Sequence, residues 1–222
     1  HLAAQTLVGP AAEDPVGTYR ANVEGTWVIL EAAREAGAGA VVVASSDKAY
    51  GPSESLPYRE GDELKPAAPY EASKAAADVI SRSYWPAFGL AVGVTRLANV
   101  YGGGDLNASR LVPEAVTACL AGRAPQIRSD CSPERDYLHV SDAVAAYLAI
   151  EGAVKVHVLG CQAHGRGRNA CRLLLADFLA HVLRAHLGGS DGGGTHALGL
   201  RIDLDGHLDV LGRRTQPDDG VV

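Results

Sequence analysis

The sequence predicts an α/β fold built on a doubly wound parallel sheet, and two observations indicate it. A continuous apolar run over 40–44 has the length and composition of a strand buried on both faces, which is usual in parallel sheets. A polar segment, Ser45 to Gly51, follows this run directly, and helical patterns lie on either side. Because such folds bind ligands at the carboxyl ends of their strands, the polar segment predicts a functional site.

Helical and strand patterns alternate along the first 151 residues. Asp14 is a suitable N-cap for the first helix, Gly37 is suited to end it, and Ser141 is the expected N-cap of the last helix. This alternation is typical of a parallel sheet covered by helices. In chain order the pattern predicts a helix over 15–36, a strand over 41–44, a loop over 52–69, a helix over 70–88, a strand over 92–97, a loop over 105–110, a helix over 111–122, a short strand over 126–128 and a helix over 142–150.

Tyr70 and Lys74 form a candidate acid/base pair. Residues four apart on a helix share one face, so an ammonium lies beside a phenol. The positive charge is expected to lower the pKa of Tyr70 from its reference value of about 10. A phenol tuned in this way suits the role of general base, although the same spacing also occurs by chance on solvated helix faces.

Several further motifs occur in a fixed order, and together with this pair they resemble one known family. The resemblance is to the extended short-chain dehydrogenase/reductases, the NAD-dependent epimerases and dehydratases, and it runs from His1 to about Glu151. It implies a Rossmann-like sheet that lacks its N-terminal βαβ half. The motifs are His1–Ala4, Asn22–Thr26, Ser45–Gly51, Tyr70–Lys74, Arg96–Gly102 and Arg135–Asp142.

The resemblance implies roles for individual residues. Ser46 matches the catalytic Ser/Thr position, and Tyr70 and Lys74 match the catalytic pair. NAD is the implied cofactor, with Ala3, Ala4, Tyr70 and Lys74 as binding residues. A nucleotide-sugar is the implied substrate, with Asn99 and Arg135 as contacts to its phosphates; no metal is expected.

Asp47 and Lys48 narrow the implied chemistry to a 4,6-dehydratase. A ketone at C4 of the sugar acidifies the C5 proton; a base removes that proton while an acid protonates the hydroxyl that leaves C6. An Asp–Lys pair here is similar to CDP-glucose 4,6-dehydratases, whereas related epimerases usually carry small or neutral residues. Three alternatives stay open: an epimerase, a reductase of the same family, and an inactive remnant.

Both ends of the chain differ from the family pattern. The glycine-rich dinucleotide loop is absent from the sequence, so we expect roughly 60–80 further residues upstream, the size of the missing βαβ units. Residues 152–222 hold six of the eight histidines and 13 of the 26 glycines, with no Tyr or Trp. Within this tail, 171–187 could form an amphipathic helix. A frame shift near residues 151–160 accounts best for the change; a metal site and a variable tail are the alternatives, and sequencing the locus would decide.

Composition limits the partners. The net charge is −6 with no basic patch, so nucleic acid is not an expected partner. No apolar run reaches the length of a membrane span, and the four cysteines show no paired or metal-ligand spacing. We therefore expect a cytoplasmic enzyme with free thiols. Family members often form homodimers through two long helices, which correspond here to 15–36 and 70–88.

Overall fold

The computed structural model describes residues 1–164, 198–202 and 208–212, with the exception of 55, 128 and 131–134. Its helices are α1 (Val8–Glu13), α2 (Pro15–Tyr19), a π-helical turn (Arg20–Glu24), α3 (Gly25–Glu35), a 3₁₀ turn (Asp47–Tyr50), α4 (Pro69–Phe88), α5 (Leu111–Leu120) and α6 (Val140–His164). Its strands are β1 (Val41–Ala44), β2 (Val92–Thr95), β3 (Asn99–Tyr101), β4 (Tyr137–His139), β5 (Leu198–Ile202) and β6 (Leu208–Gly212).

The strands of the predicted sheet run parallel. β1 pairs with β2, with Val43 opposite Val94, and β3 pairs with β4. The first residues of the chain extend this sheet, because the backbone nitrogen of His1 donates to the Val42 carbonyl at 2.7 Å and Ala44 N–H donates to the His1 carbonyl at 3.1 Å. That pattern belongs to a parallel neighbour. β5 and β6 form a separate antiparallel pair.

Two apolar clusters cover the two faces of β1. Val43 is buried against Leu30 of α3 and Tyr84 of α4 on one face. Val42 packs on the other face against a cluster that includes Ile150 of α6. Helices on both sides of parallel strands are the predicted arrangement, and the fold class is confirmed.

The first long helix forms as predicted. Helices α2 and α3 and the π-helical turn make one continuous helical stretch over 15–35. The carboxylate of Asp14 accepts a hydrogen bond from Gly17 N–H at 2.9 Å, so Asp14 is the N-cap. Gly37 follows the end of this stretch with a φ of 66°, the left-handed region that glycine adopts at little cost.

Some boundaries differ from the prediction. β2 ends at Thr95 rather than 97, because Arg96 turns into a buried ion pair. Gln126 is not in a strand: its N–H donates to the Glu114 carboxylate at 3.0 Å instead of to a ladder. Residue 128 lies outside the described residues.

The last helix also differs from expectation. Ser141 is not an N-cap, because α6 already begins at Val140, and the Ser141 hydroxyl bonds the ring of His139 at 2.8 Å. α6 continues through Glu151 to His164. The domain limit at 151 and the frame shift stay predictions, and the helix expected over 171–187 lies outside the described residues. α1 was not predicted, and no described helix is long and apolar enough to cross a membrane.

Gly51 closes the polar segment, and its replacement should be costly. Its φ is 72°, and an added Cβ would lie 1.9 Å from the carbonyl oxygen of Lys65. We expect Gly51→Ala to lower the free energy of unfolding by roughly 2–4 kcal/mol, from backbone strain and steric overlap. Urea unfolding would measure this loss. Gly61→Ala is the control from the same loop, because nothing lies within 4 Å of its added Cβ; equal losses in both variants would contradict the argument.

Candidate active site

A cavity of about 630 Å³ opens at the carboxyl ends of β1 and β2. Seven of the nine predicted site residues line it: Ser46, Asp47, Lys48, Tyr70, Lys74, Asn99 and Arg135. Ala3 and Ala4 do not line it, although Leu2 and Thr6 on either side of them do. The cavity thus brings together groups from five separate sequence motifs. The roles assigned to these residues stay predictions.

Ser46 and Tyr70 meet in this cavity. Ser46 is the N-cap of the 3₁₀ turn, and its hydroxyl accepts from Lys48 N–H at 3.2 Å and donates to Asp47 Oδ1 at 3.0 Å. Burial raises the pKa of Tyr70, while its hydrogen bond with Ser46 acts in the opposite direction. The net direction is upward, opposite to the lowering expected from Lys74.

Lys74 is a buried amine on the same face of α4. Its Nζ donates to the carbonyl oxygen of Ala44, the last residue of β1, at 2.8 Å. Burial lowers the pKa of Lys74 to about 8. Lys74 is not among the charges that act on the Tyr70 phenol here, which are Asp47 and Arg110. The expected tuning of Tyr70 by Lys74 is therefore not what the structure shows.

Asn22 joins the start of the chain to α4, a role that sequence reasoning missed. It lies in the π-helical turn, and its Nδ2 donates to the Gln5 carbonyl at 2.9 Å and to the Ser73 hydroxyl at 2.8 Å. Gln5 N–H donates back to Asn22 Oδ1 at 2.7 Å. Ser73 in turn donates to the carbonyl of Tyr70 at 2.7 Å. The amide of Asn22 therefore fixes the backbone beside Tyr70, and only its place in a helical motif marked it in the sequence.

Arg96 forms a second buried link that the sequence reasoning did not assign. Its Nε and Nη2 donate to the two carboxylate oxygens of Asp78 at 2.7 and 3.0 Å, and its Nη1 donates to the Tyr50 hydroxyl at 2.8 Å. Arg96 is 1% exposed and Asp78 is fully buried. One signal in the sequence could have indicated this link. An arginine directly after an apolar strand is expected to be buried, and a buried charge needs a partner of opposite charge.

The two residues predicted to contact a substrate, Asn99 and Arg135, lie in β3 and just before β4. Asn99 donates through Nδ2 to the Asp136 carbonyl at 3.3 Å, and Arg135 is exposed. A second cavity of about 510 Å³ adjoins this region, and Arg135, Arg110 and Tyr137 line both cavities. Two guanidinium groups therefore lie where the cavities meet. Among the described residues, no three His, Cys, Asp or Glu side chains are grouped as metal ligands.

The profile of one family, the NAD-dependent epimerase/dehydratase family, matches residues 1–157. The chain belongs to this family. The resemblance drawn from the motifs is thereby confirmed.

Individual relatives include both kinds of enzyme. A dTDP-glucose 4,6-dehydratase of Streptomyces griseus is 35% identical over 150 residues, which cover 68% of this chain and 45% of the relative. A UDP-glucose 4-epimerase of Mycolicibacterium smegmatis (strain ATCC 700084 / mc(2)155) is 37% identical over 158 residues, which cover 68% of this chain and 50% of the relative. The chain thus spans about half the length of the relatives it matches. Because dehydratases and epimerases both occur among the relatives, the similarity supports the family and leaves the reaction of this chain open.

Solved structures agree on the fold. One is a double mutant of DesIV, a dTDP-glucose 4,6-dehydratase of Streptomyces venezuelae, with NAD bound. It is 26% identical, has a TM-score of 0.61, and the match covers 96% of this chain and 60% of that one. A UDP-N-acetylglucosamine 4-epimerase of Methanobrevibacter ruminantium M1 has a TM-score of 0.64 at 25% identity, with 68% and 50% covered.

The buried amine of Lys74 should make stability depend on pH. Its pKa is about 8 in the folded chain against an ordinary value of 10.5. At low pH both states carry the charge and its burial is costly; as pH rises from 8 towards 10.5 the folded state loses the proton first, so the cost disappears. From about pH 7.5 to 9.5, we expect wild type to gain roughly 1–2 kcal/mol in unfolding free energy relative to Lys74→Met.

Urea unfolding at several pH values would measure this gain. Lys65→Met is the control, because Lys65 is largely exposed and pairs with Glu63 at 3.0 Å. Its difference from wild type should stay constant over the same pH range. A Lys74→Met difference that is equally constant would contradict the assigned pKa.

Proposed function

We propose that this chain carries the catalytic residues of an NAD-dependent nucleotide-sugar 4,6-dehydratase. The observation that supports the proposal best is the shared cavity, lined by the Tyr70–Lys74 pair and by Ser46, Asp47 and Lys48. The first pair suits oxidation at C4 and the last two suit removal of water. A 4-epimerase needs only to rotate the C4 ketone and reduce it again, so it does not require an acid and an amine beside the phenol.

The residues present fit the nicotinamide–ribose end of NAD. The Lys74 amine and the Tyr70 phenol are buried donors at the cavity, and such donors suit the hydroxyls of a ribose. Leu2 and Thr6 provide one wall, with Ala3 and Ala4 between them. Held by these residues, NAD would supply the hydride acceptor for oxidation at C4 and the hydride donor for reduction at C6. The chain's own part is to hold, orient and deprotonate the sugar.

Tyr70 is the base for the C4 hydroxyl in this proposal. Its phenol lines the cavity together with Ser46, whose hydroxyl would also hold the C4 oxygen as it becomes a carbonyl. Lys74 lies one helical turn further along α4, where its amine would bind the ribose.

Asp47 and Lys48 perform the second step. The ketone at C4 makes the C5 proton acidic, and the Lys48 amine would remove it. Asp47 would give a proton to the C6 hydroxyl as water leaves. Both residues are half-buried in the 3₁₀ turn at the cavity, so neither reacts in bulk solvent.

Asn99 and Arg135 would bind the diphosphate of the substrate. Arg135 lies where the two cavities meet, so the sugar would occupy the larger cavity and the nucleotide the smaller. The Asp–Lys pair favours CDP-glucose as the substrate. The dTDP-glucose dehydratases among the relatives make dTDP-glucose the necessary comparison.

We also propose a cytoplasmic homodimer that pairs the helices over 15–35 and 69–88.

A 4-epimerase is the second candidate, and the relative from Mycolicibacterium smegmatis favours it. Both functions need Tyr70, Lys74 and Ser46, but only the dehydratase needs Asp47 and Lys48. The deciding experiment incubates the natural full-length protein with CDP-glucose, dTDP-glucose or UDP-glucose and identifies the product by mass. A product that has lost water supports the dehydratase, and a product of unchanged mass with inverted C4 supports the epimerase. If neither product forms and the protein does not bind NAD, the result supports an inactive remnant.

Replacement of Tyr70 tests its role as the base. Tyr70→Phe removes only the hydroxyl, so turnover should fall roughly 100- to 10,000-fold, the usual contribution of a positioned base. Turnover assays would measure the fall, and thermal melting would show that the fold is kept. Turnover close to the wild-type rate would exclude Tyr70 as the base.

Asp47→Asn separates the two steps. The amide cannot donate an acidic proton, so loss of water should slow roughly 100-fold or more while C4 oxidation continues. Rapid-mixing measurements of reduced cofactor and of dehydrated product would resolve the steps. Asp62→Asn is the control, because Asp62 is an exposed loop acid that accepts from Arg59 N–H. A normal dehydration rate in Asp47→Asn would favour the epimerase.

A further inference from the structure

The 3₁₀ turn that carries Asp47 and Lys48 is held at both ends by two consecutive residues. At its start, Asp47 N–H donates to the carbonyl of Leu97 at 3.2 Å. At its end, the Tyr50 hydroxyl accepts from Nη1 of Arg96 at 2.8 Å. Arg96 and Leu97 directly follow β2, so the exit of one strand fixes the position of the whole turn.

The same guanidinium reaches the helix that carries the other half of the site. Its Nε and Nη2 donate to the two carboxylate oxygens of Asp78. Asp78 lies four residues after Lys74, which lies four after Tyr70, so all three share one face of α4. Arg96 therefore joins the turn with Asp47 and Lys48 to the helix with Tyr70 and Lys74 through side chains that are almost fully buried.

Tyr50 has three further contacts that fix it. The Arg96 Cζ lies 5.0 Å from the centroid of its ring, and the ring of Tyr58 stacks on it at 4.8 Å. Its backbone carbonyl accepts from Lys65 N–H at 3.1 Å. None of Tyr50, Arg96 and Asp78 lines the 630 Å³ cavity, so they do not touch a substrate there.

We propose that Tyr50 is a positioning residue. Through Arg96 and Asp78 it sets the distance between Asp47 and Lys48, the dehydration pair, and Tyr70 and Lys74, the oxidation pair. This inference rests on the proposed dehydratase function. The two pairs act in succession on different carbons of one sugar, so their separation must match the span from C4 to C6. A displacement of about 1 Å can reduce a rate roughly 100-fold.

Tyr50→Phe tests the proposal in the natural full-length protein. The variant keeps the ring and removes the hydroxyl, while Nη1 of Arg96 keeps its bond to the Glu60 carbonyl at 3.1 Å, so the guanidinium stays paired and the fold should hold. We expect the dehydration step to slow roughly 10- to 100-fold. The C4 oxidation step and the KM should stay within about twofold, because Tyr50 does not line the cavity that would hold the substrate.

Tyr84→Phe is the matched control, since Tyr84 is also a buried tyrosine of which no part lines the cavity. It should change neither step. Crystal structures of both variants add a readout independent of turnover: the turn over 47–50 should move relative to α4 only in Tyr50→Phe. Equal slowing of both steps, or an unmoved turn with normal dehydration, would overturn the proposal.

Failure of the proposed function would be seen separately. If the wild type releases no dehydrated product from any nucleotide-sugar, the dehydratase assignment fails. The structures would then still decide whether Tyr50 holds the turn: a turn that stays in place would refute the positioning role, and a displaced turn would support it.

Discussion

The buried guanidinium of Arg96 is the interaction on which the arrangement of this site depends. It is 1% exposed and bonds Asp78 of α4, Tyr50 of the 3₁₀ turn and the carbonyl of Glu60 in the following loop. Removal of one partner from such a pair leaves an uncompensated charge and typically costs about 3–5 kcal/mol. Three segments that are distant in sequence therefore keep one relative position.

Around this point the site is built as two half-sites on one sheet edge. Helix α4 presents Tyr70 and Lys74, and the end of β1 presents Ser46, Asp47 and Lys48. The Lys74 amine bonds the last carbonyl of β1, so the helix and the strand are also joined directly. The same burial that fixes these groups shifts their pKa values, upward for Tyr70 and downward for Lys74. Position and acidity thus have one physical origin.

The sequence was informative at most places where a local rule decides the structure, although the Ser141 cap, also a local prediction, was wrong. The Asp14 cap, the apolar strand over 41–44 and the spacing of Tyr70 and Lys74 each depend on neighbours in the chain, and the predicted elements formed. Links between distant segments were not predictable in this way. Nothing in the sequence pairs Arg96 with Asp78. The pKa of Tyr70 was expected to fall because of the charge on Lys74, but the four-residue spacing gave no measure of how deeply the phenol is buried, and burial raises that pKa.

The π-helical turn keeps the buried side chains of the first long helix on one face. Its polar buried side chains and the leucine beyond them, Thr18, Asn22, Thr26 and Leu30, occur at every fourth position. In a regular α-helix four residues overshoot a full turn by about 40°, so three such steps would rotate the row by about 120° away from the sheet. The wider turn at 20–24 takes up part of that rotation. The length of this helix is therefore fixed: loss or gain of a single residue there would turn one half of the row towards solvent.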